Sequence, residues 1–369
     1  KVHKLAINGN YKSYMDDMNN DLLMHLAWLD GEDNHNYEPN ENWAREFWEL
    51  GTVGPTSLDG NPVYSDLDIA QAALAFTGNV IDYYTINGHG ICLQSFVEGL
   101  HAQGPKTIFN GTPYQSVVYN AKDMLEATFR HPRVAEHLAE DIWKEFINGT
   151  PSAPAIKQLA QVIRDNNFDI KPVMRQVMLS QAVYNSRGAL IKYPSEMLAG
   201  FLRQTGIPLD YYYVDQSMGD LGQRVLQPAT VFGWNERALS GEAWVLPWWN
   251  ELLMITTQST EEFTEYGYDL HGHFLANLST QGTAAQEAIK RIASTLGITL
   301  NAAQVAMLEE YMDNYWRECH SWSPQSKCGQ GQAGYLERDA FDANPAADYE
   351  MKLRGAISIL AMLPQYRMK

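Results

Sequence analysis

The stretch YSDLDIAQAALAFTG, residues 64–78, carries the signals for one whole helix within fifteen positions. Ser65 followed three positions later by Asp68 is a capping-box arrangement. In it, the hydroxyl accepts a hydrogen bond from a first-turn N–H, and the carboxylate accepts one from the N–H of the capping residue. The pair Thr77-Gly78 ends the stretch by the rule that glycine follows the last helical turn. These signals predict a helix that begins after Ser65 and ends before Gly78.

Apolar residues recur with a period of about 3.6 residues through most of the chain, and alternating strand patterns are scarce. Further helices are predicted at residues 11–29, 41–50, 115–129, 132–146, 153–165, 170–179, 194–205, 212–221, 243–257, 284–296, 302–319 and 346–363. Irregular stretches are predicted at residues 79–113, 223–241 and 321–344, and loops of that length inside a compact domain are usually functional. The sequence therefore predicts a mainly α fold, a large multi-helix domain with long irregular loops. We expect a main helical domain over residues 1–257 and a C-terminal helical part over residues 258–369 that packs on it.

The chain of 369 residues has a formal net charge of −17, with 44 acidic and 27 basic residues. Nucleic-acid binding needs a basic stripe that releases counterions from phosphates, so this balance argues against a nucleic-acid partner. No apolar run approaches the roughly 18 residues that a membrane span requires. An acidic surface suits cation binding and is typical of many exported proteins. We therefore expect neither a nucleic-acid partner nor a membrane span.

An oxygen-rich stretch, WLDGEDNHNYEPNENWARE, lies between two helical patterns at residues 28–46. Its donors follow the spacing of a helix–loop–helix calcium loop, in which hard oxygens at alternate positions and a carboxylate from the next helix surround Ca²⁺. The candidate ligands are Asp30, Glu32, Asn34, Asn36, Glu38 and Glu41. Against a metal, His35 stands where a sharp turn prefers glycine, and Pro39 lacks an N–H. The alternative is a polar connector in which Asn40 caps the next helix and the acidic residues lie near its positive end.

Two further stretches offer candidate catalytic groups. In HAQGPKTIFNG, residues 101–111, His101 and Lys106 flank a Gly-Pro turn, so a proton-transfer histidine could stand beside an anion-binding lysine. The alternative there is a structural turn. In GWNERALSGEAWVLPWWNE, residues 233–251, tryptophans lie beside Glu236 and Glu242, as in a polysaccharide cleft with paired acids. Tryptophans at helical spacing also fill protein cores, so this alternative stays open.

Six ordered blocks resemble successive parts of the bacterial domain-of-unknown-function family 1800. They are PNENWAREFWELGTVG (39–54), YSDLDIAQAALAFTG (64–78), HAQGPKTIFNG (101–111), HPRVAEHLAEDIWKEF (131–146), LGQRVLQPATVFGW (221–234) and LRGAISILAMLPQYR (353–367). The resemblance implies an exported, helical bacterial protein, often encoded near sulfatase-like partners, with a role in polymer or envelope metabolism. The family tends to have an acidic residue directly after the histidine of the third block, where this chain has Ala102. The resemblance also implies that an N-terminal portion of the family lies before Lys1, so that this is the C-terminal portion of a processed chain.

The sequence and the resemblance together lead to two expectations of function. The first is a periplasmic or extracellular binding or structural subunit, stabilised by Ca²⁺ in the loop from Asp30 to Glu41. Its partner is another protein, a second copy, or its own N-terminal portion. The second is a hydrolase or lyase that acts on an extracellular polysaccharide, with His101, Lys106, Glu236 and Glu242 near the cleft. No nucleophile elbow, phosphate-binding loop, dinucleotide fingerprint or His-Glu-x-x-His motif points to another reaction.

Overall fold

A computed structural model describes residues 9–27, 31, 34–86, 89–148, 151–228, 233–234, 245–256, 268–275, 284–317, 335–338 and 347–368. Helices dominate this part of the chain, and its strands form three separate two-stranded ladders. The predicted mainly α fold class is confirmed. Within these residues, no helix combines the length and the apolar character that a membrane crossing requires.

The chain divides into two compact units, Lys1–Leu190 and Ile191–Lys369. The sequence placed the division at residue 257, which falls inside the second unit. The helix over Val245–Thr256 explains the difference, because it packs against the helix over Ala347–Met362 in the core of the second unit.

Unit 1 contains nine α-helices, a 3₁₀-helix (Glu98–Leu100) and two antiparallel ladders among its described residues. The helices are α1 (Tyr11–Asn19), α2 (Leu22–Ala27), α3 (Asn42–Glu49), α4 (Asp66–Phe76), α5 (Ala121–Arg130), α6 (Pro132–Phe146), α7 (Ala153–Asp165), α8 (Ile170–Met178) and α9 (Gln181–Asn185). The strands are β1 (Asn79–Ile86), β2 (His89–Phe96), β3 (Lys106–Ile108) and β4 (Ser116–Val118).

Aromatic side chains fill the core of unit 1. Trp48 is fully buried, and its ring stacks on Phe109 at a centroid distance of 4.8 Å. Its indole N–H donates to the Thr128 hydroxyl over 3.0 Å, so the polar edge of the buried ring has a partner. Trp43 and Phe47 extend the same cluster along α3.

Helix α4 has the predicted caps. The Ser65 hydroxyl accepts from the Asp68 N–H over 3.2 Å, and the Asp68 carboxylate accepts from the Ser65 N–H over 2.9 Å. Gly78 has a φ of +101°, a conformation that glycine adopts without a steric penalty. The same carboxylate accepts from the Asn110 N–H over 3.0 Å, which fastens α4 to the segment after β3.

The stretch predicted as irregular from residue 79 contains an antiparallel hairpin, so that prediction is wrong for β1 and β2. The sequence of these strands shows no clean alternation of apolar and polar residues, because neither face of the hairpin is buried. Every described residue of β1 and β2 is half-buried or exposed. A clean alternation arises only when one face packs on a core. The helix predicted at residues 115–129 is also shorter, because β4 precedes Asn120, which caps α5.

Unit 2 is built from helices and one ladder among its described residues. The helices are α10 (Pro194–Thr205), α11 (Tyr211–Asp220), α12 (Val245–Thr256), α13 (Leu270–Leu275), α14 (Ala284–Thr295), α15 (Ala302–Asp313), α16 (Ala347–Met362) and α17 (Pro364–Arg367). The ladder joins β5 (Asn314–Arg317) to β6 (Tyr335–Arg338). Trp248 anchors the core, because it stacks on Tyr366 at 6.3 Å and donates to the Ala361 carbonyl over 3.1 Å.

Candidate functional site

A cavity of about 530 Å³ opens in unit 1 between α1, the base of the hairpin and the first turn of α5. We call it the His101 pocket. Its wall combines polar side chains with a similar amount of apolar surface, and one exposed aromatic ring belongs to it. The residues that give it this character are Asp16, Asn19, Asn20, Thr77, Asn79, Phe96, His101, Asn120, Lys122 and Glu126.

The asparagines come to this pocket because they stand at the ends of elements. Asn20 follows the last turn of α1, and Asn79 begins β1. The Asn120 side chain caps α5 by accepting from the Asp123 N–H over 3.0 Å. Asparagine is favoured at such positions because its side chain can replace a missing backbone partner. Sequence reasoning missed these residues, because Asn20 and Asn120 fell inside the helices predicted at residues 11–29 and 115–129; only Asn79 stood at a predicted helix boundary.

His101 forms part of the pocket wall and is held by the backbone on both sides of its ring. Nδ1 lies 2.8 Å from the Thr77 carbonyl oxygen, and Nε2 lies 3.0 Å from the Tyr119 carbonyl oxygen. The ring is buried, and Phe96 covers one side at a centroid distance of 5.5 Å. A neutral imidazole has one N–H and can donate to only one of these two carbonyls, whereas a protonated ring could donate to both. The side chain thereby ties the hairpin base to the segment before α5.

Lys106 is brought next to His101 by a shared acceptor. Its Nζ donates to the Tyr119 carbonyl over 2.7 Å and also to the Ala102 carbonyl. The side chain is buried, and this burial lowers the pKa of Lys106, while the carboxylate of Asp123 acts in the opposite direction. The two predicted catalytic residues of this block are therefore neighbours, and both are bound to main-chain oxygens.

Charged groups stand at the exposed part of the pocket wall. Asp16 and Lys122 have exposed side chains. Glu126 forms an ion pair with Lys12, with 2.6 Å between Oε2 and Nζ. The wall thus offers carboxylates, an ammonium group and amides at one place, each able to exchange hydrogen bonds with a polar ligand.

Four of the six residues predicted as calcium ligands are described, and their side chains have separate partners or face solvent. The Asn34 amide is buried, where it donates to the Ala73 carbonyl and accepts from the Asn40 N–H over 2.9 Å. Asn36 donates to the Gly99 carbonyl over 3.0 Å, and Glu41 pairs with Arg45 at 3.1 Å. Glu38 is exposed.

These contacts support the connector alternative for the loop. The Asn40 side chain accepts from the Asn42 N–H over 2.8 Å at the start of α3, as expected for a cap. Ca²⁺ would need the Asn34 and Glu41 oxygens to leave their present partners, so the described donors do not fit it as they stand. Asp30 and Glu32 lie outside the described residues, and the calcium site stays a prediction. Within the described part, no three acidic, histidine or cysteine residues are grouped as metal ligands.

The tryptophan stretch contributes little to a cleft in the described part of unit 2. Glu236 and Glu242 lie outside the described residues, and their predicted catalytic role stays a prediction. Trp248 is only 1% exposed, so its ring fills the core and cannot stack on a sugar. Trp249 is half-buried on the same helix.

Helix α6 carries a network of charged groups that the sequence reasoning did not identify. The Arg133 guanidinium donates to Glu140 over 2.7 Å and to the Thr56 carbonyl over 2.8 Å. Burial opposes ionisation of Glu140, but the His137 ring, whose Nδ1 lies 3.7 Å from Oε2, and the hydrogen bond from Arg133 outweigh it and lower the pKa of Glu140 to about 2. The charged residues of this network are spaced three, four and seven positions apart, which places them on one surface of the helix, and this spacing was the signal in the sequence.

His131 stands at the start of the same helix. Its Nδ1 accepts from the Arg133 N–H over 3.1 Å and so caps α6. Burial and the Arg133 charge lower the pKa of His131 to about 4. A neutral ring suits this position, because only a nitrogen without a proton can accept the capping hydrogen bond.

Of the comparisons with known proteins, the comparison with protein families gave a match. A family model described as "Protein of unknown function (DUF1800)" matches residues 2–367. Neither the curated proteins nor the solved structures gave a match. The matched range covers both units, including the His101 pocket and the α6 network. The chain therefore belongs to the DUF1800 family of proteins of unknown function.

Proposed function

We propose that this chain is a binding protein that holds a hydroxyl-rich, sugar-like ligand in the His101 pocket. The observation that carries the proposal is the combination of amide and carboxylate side chains with one exposed phenyl ring around a cavity of about 530 Å³. Cavities of roughly 300–1,000 Å³ are the usual size for small-ligand sites.

The chemistry of the wall suits a saccharide. Asn20 and Asn79 can each donate and accept, as a ring of hydroxyl groups requires. Phe96 is 54% exposed and gives an apolar surface on which the C–H face of a sugar ring can rest. Asp16 and Lys122 add charges of both signs at the exposed part.

Binding is favoured over catalysis by the state of the two predicted catalytic residues. His101 and Lys106 both hydrogen-bond the Tyr119 carbonyl, and each has a second main-chain acceptor. A general acid or base must be able to exchange its proton with the ligand. Here both ring nitrogens of His101 face main-chain carbonyls, and the Lys106 ammonium donates to two, so these side chains hold the pocket wall together. We therefore assign His101 and Lys106 to positioning.

Location and metal content belong to the proposal as well. The family resemblance favours export, and we propose that the chain works in the periplasm or outside the cell.

The proposal that calcium binds in the loop from Asp30 to Glu41 is tested by thermal unfolding with CaCl₂ and with a chelator. A higher midpoint with CaCl₂ supports the site, and equal midpoints contradict it.

The binding proposal is tested by titration calorimetry of the full chain. The ligands are tetrasaccharides of glucose, of N-acetylglucosamine and of galacturonic acid. We expect one of them to bind, and we expect Phe96→Ala to weaken that binding by about tenfold, the value of one ring contact. Phe146→Ala is the matched control, because Phe146 is 41% exposed on α6 outside the pocket wall. Failure of all three saccharides to bind, or equal weakening by both variants, would contradict the proposal.

Polysaccharide hydrolysis is a second candidate, because Asp16 and Glu126 place two carboxylates on one wall. Paired carboxyl groups are what glycoside cleavage uses. Glu126 is already paired with Lys12, which makes it a poor proton donor as it stands. Mass spectrometry of each saccharide after incubation separates the two functions: intact saccharide supports binding alone, and shortened products that vanish in Asp16→Asn support hydrolysis.

A further inference from the structure

A second cavity, of about 510 Å³, lies in unit 2 along one side of α10. We call it the Arg203 pocket, and its wall consists of Lys192, Glu196, Ala199, Gly200, Arg203 and Gln204. The five residues on the helix recur at spacings of three and four positions, so they share one face of α10. A cavity of this size falls in the range of small-ligand sites.

The floor of the Arg203 pocket is made by small residues. Gly200 stands in the interior of α10, where a glycine costs about 1 kcal/mol of helix stability relative to alanine. A Cβ atom at this position would lie 3.6 Å from the Tyr366 hydroxyl oxygen and 4.0 Å from Gln204 Oε1, which are ordinary contact distances. Packing therefore does not demand a glycine here, and the effect of the missing side chain is to leave space for a ligand.

The side chain of Tyr366 holds two polar groups of the wall within reach of one small ligand. The Lys192 Nζ lies 4.2 Å from the Tyr366 ring centroid and donates to the Tyr366 carbonyl over 2.7 Å. At the far end of the same side chain, the hydroxyl lies 3.2 Å from Gln204 Oε1. Tyr366 is buried in the core of unit 2, so both groups are held by a fixed side chain.

Hydrogen-bond donors dominate the polar part of this wall. The Arg203 side chain is exposed and has no ion-pair partner among the residues that the structure describes. A guanidinium carries five N–H donors, and the Lys192 ammonium keeps donors beyond the one used on the Tyr366 carbonyl. The Gln204 amide contacts the Tyr366 hydroxyl through its oxygen, which leaves its nitrogen to donate.

The charges of the wall indicate the class of ligand. Lys192 and Arg203 supply two positive charges against one negative charge from Glu196, in a chain whose net charge is −17. The Glu196 carboxylate accepts from the Tyr193 N–H over 2.8 Å at the start of α10. Burial lowers the pKa of Lys192, while Glu196 acts in the opposite direction. A bound anion would stabilise the ammonium further, so the wall favours an anionic ligand.

We propose that the Arg203 pocket binds a small anionic sugar, whose carboxylate or phosphate group pairs with Arg203 and Lys192. The planar guanidinium can donate two parallel hydrogen bonds to two oxygens of either anionic group. The sugar hydroxyls then bond to the Gln204 amide and the Glu196 carboxylate, which together donate and accept. This site lies within unit 2, and the proposal is independent of what the His101 pocket binds.

Titration calorimetry of the full chain at low ionic strength tests the proposal with glucuronic acid, glucose 6-phosphate and glucose. We expect at least one of the two anionic sugars to bind, and the one that binds more tightly identifies the anionic group. Glucose should bind at least about tenfold more weakly, because it lacks that group. Arg203→Gln should weaken binding of the anionic sugar at least about tenfold. Arg175→Gln is the matched control, since it removes the same charge from an exposed position on α8.

A second variant fills the cavity and keeps every charge. Gly200→Leu should abolish the heat of binding, and circular dichroism checks that the variant keeps its helical content. Phe96→Ala, in the wall of the His101 pocket, should leave this binding unchanged, which separates the two sites. If neither anionic sugar binds, if glucose binds as tightly, or if Arg175→Gln weakens binding as much as Arg203→Gln, the proposal is wrong.

Discussion

His131 shows how a single residue in unit 1 can make stability depend on pH. Its ring lies 5.0 Å from Phe109 and 4.2 Å from Tyr114, measured between centroids. The nearby Arg133 charge and the burial keep it neutral, with a pKa of about 4 against 6.5 for the unperturbed group. An unfolded chain takes up this proton near pH 6.5, while the folded chain does so only near pH 4. The contribution of His131 is therefore complete above pH 6.5 and is lost as the pH falls towards 4.

His131→Asn should remove this dependence and keep the helix cap, because asparagine also accepts at that position. Between pH 6.5 and 4, the free energy of unfolding of the original chain should fall by on the order of 3 kcal/mol more than that of the variant. Urea unfolding at several pH values measures the difference. His89→Asn, on the exposed hairpin, is the control and should leave the pH dependence unchanged. Parallel curves for the original chain and His131→Asn would refute this account of the buried ring.

Substitution of Lys106 tests whether this side chain holds the wall of the His101 pocket in place. Lys106→Met removes the Lys106 donor from the Ala102 carbonyl and leaves the Tyr119 carbonyl with His101 alone, which should lower the free energy of unfolding by about 1–3 kcal/mol. Lys157→Met, on the exposed surface of α7, should change it by less than about 0.5 kcal/mol. Equal effects of the two substitutions in chemical denaturation would argue against a positioning role for Lys106.

Sequence reasoning at the residue scale identified the right neighbourhood, and the catalytic role of its side chains stays a prediction. His101 and Lys106 were expected near each other, and they share an acceptor. Their burial depends on Tyr119 and on Thr77, which come from other elements, and no local pattern announces such long-range hydrogen bonds. The Asn34 and Asn36 side chains likewise find partners on α4 and the hairpin base.

Among the elements, α4 is the one whose ends the sequence defined best, because capping is a local interaction. Ser65→Ala removes one capping acceptor and should cost about 1 kcal/mol. Asp68→Ala should cost more, about 2–3 kcal/mol, because its carboxylate also holds the Asn110 N–H and is buried. Asp66→Ala is the control, since that side chain is 97% exposed, and its change should stay within a few tenths of a kcal/mol. Thermal unfolding measures these losses in stability. An equal loss for Asp66→Ala and Asp68→Ala would contradict the expected order.

The hairpin shows where element prediction fails. Alternation reports a strand only through the contrast between a buried and a solvated face. In residues 79–96, tyrosines and aliphatic residues stand on both sides, and the chain reads as a loop.

At the scale of the whole molecule, the described residues form two separate hydrophobic cores, and the boundary expected at residue 257 lies within the range of the second unit. Leu252 and Ile255 are fully buried in the second core together with Ile357 and Leu360, about a hundred positions further along the chain. A pairing of that range leaves no trace in local periodicity.

The two cores predict different behaviour of two fragments. A fragment of residues 1–190 should fold cooperatively with helical circular dichroism, since its core is complete. A fragment of residues 1–257 should bind a hydrophobic dye and aggregate, because α12 then lacks α16. A well-behaved longer fragment and an unfolded shorter one would show that the division lies elsewhere.

Hydrogen exchange of the full chain with its tightest-binding tetrasaccharide tests the central claim most directly, namely that unit 1 binds a polar ligand in the His101 pocket. The amides of residues 16–20, 75–79, 96–101 and 119–126 should exchange more slowly when the saccharide is present, because these segments form the wall. Unchanged exchange in all four segments, or protection confined to residues 191–369, would contradict the account.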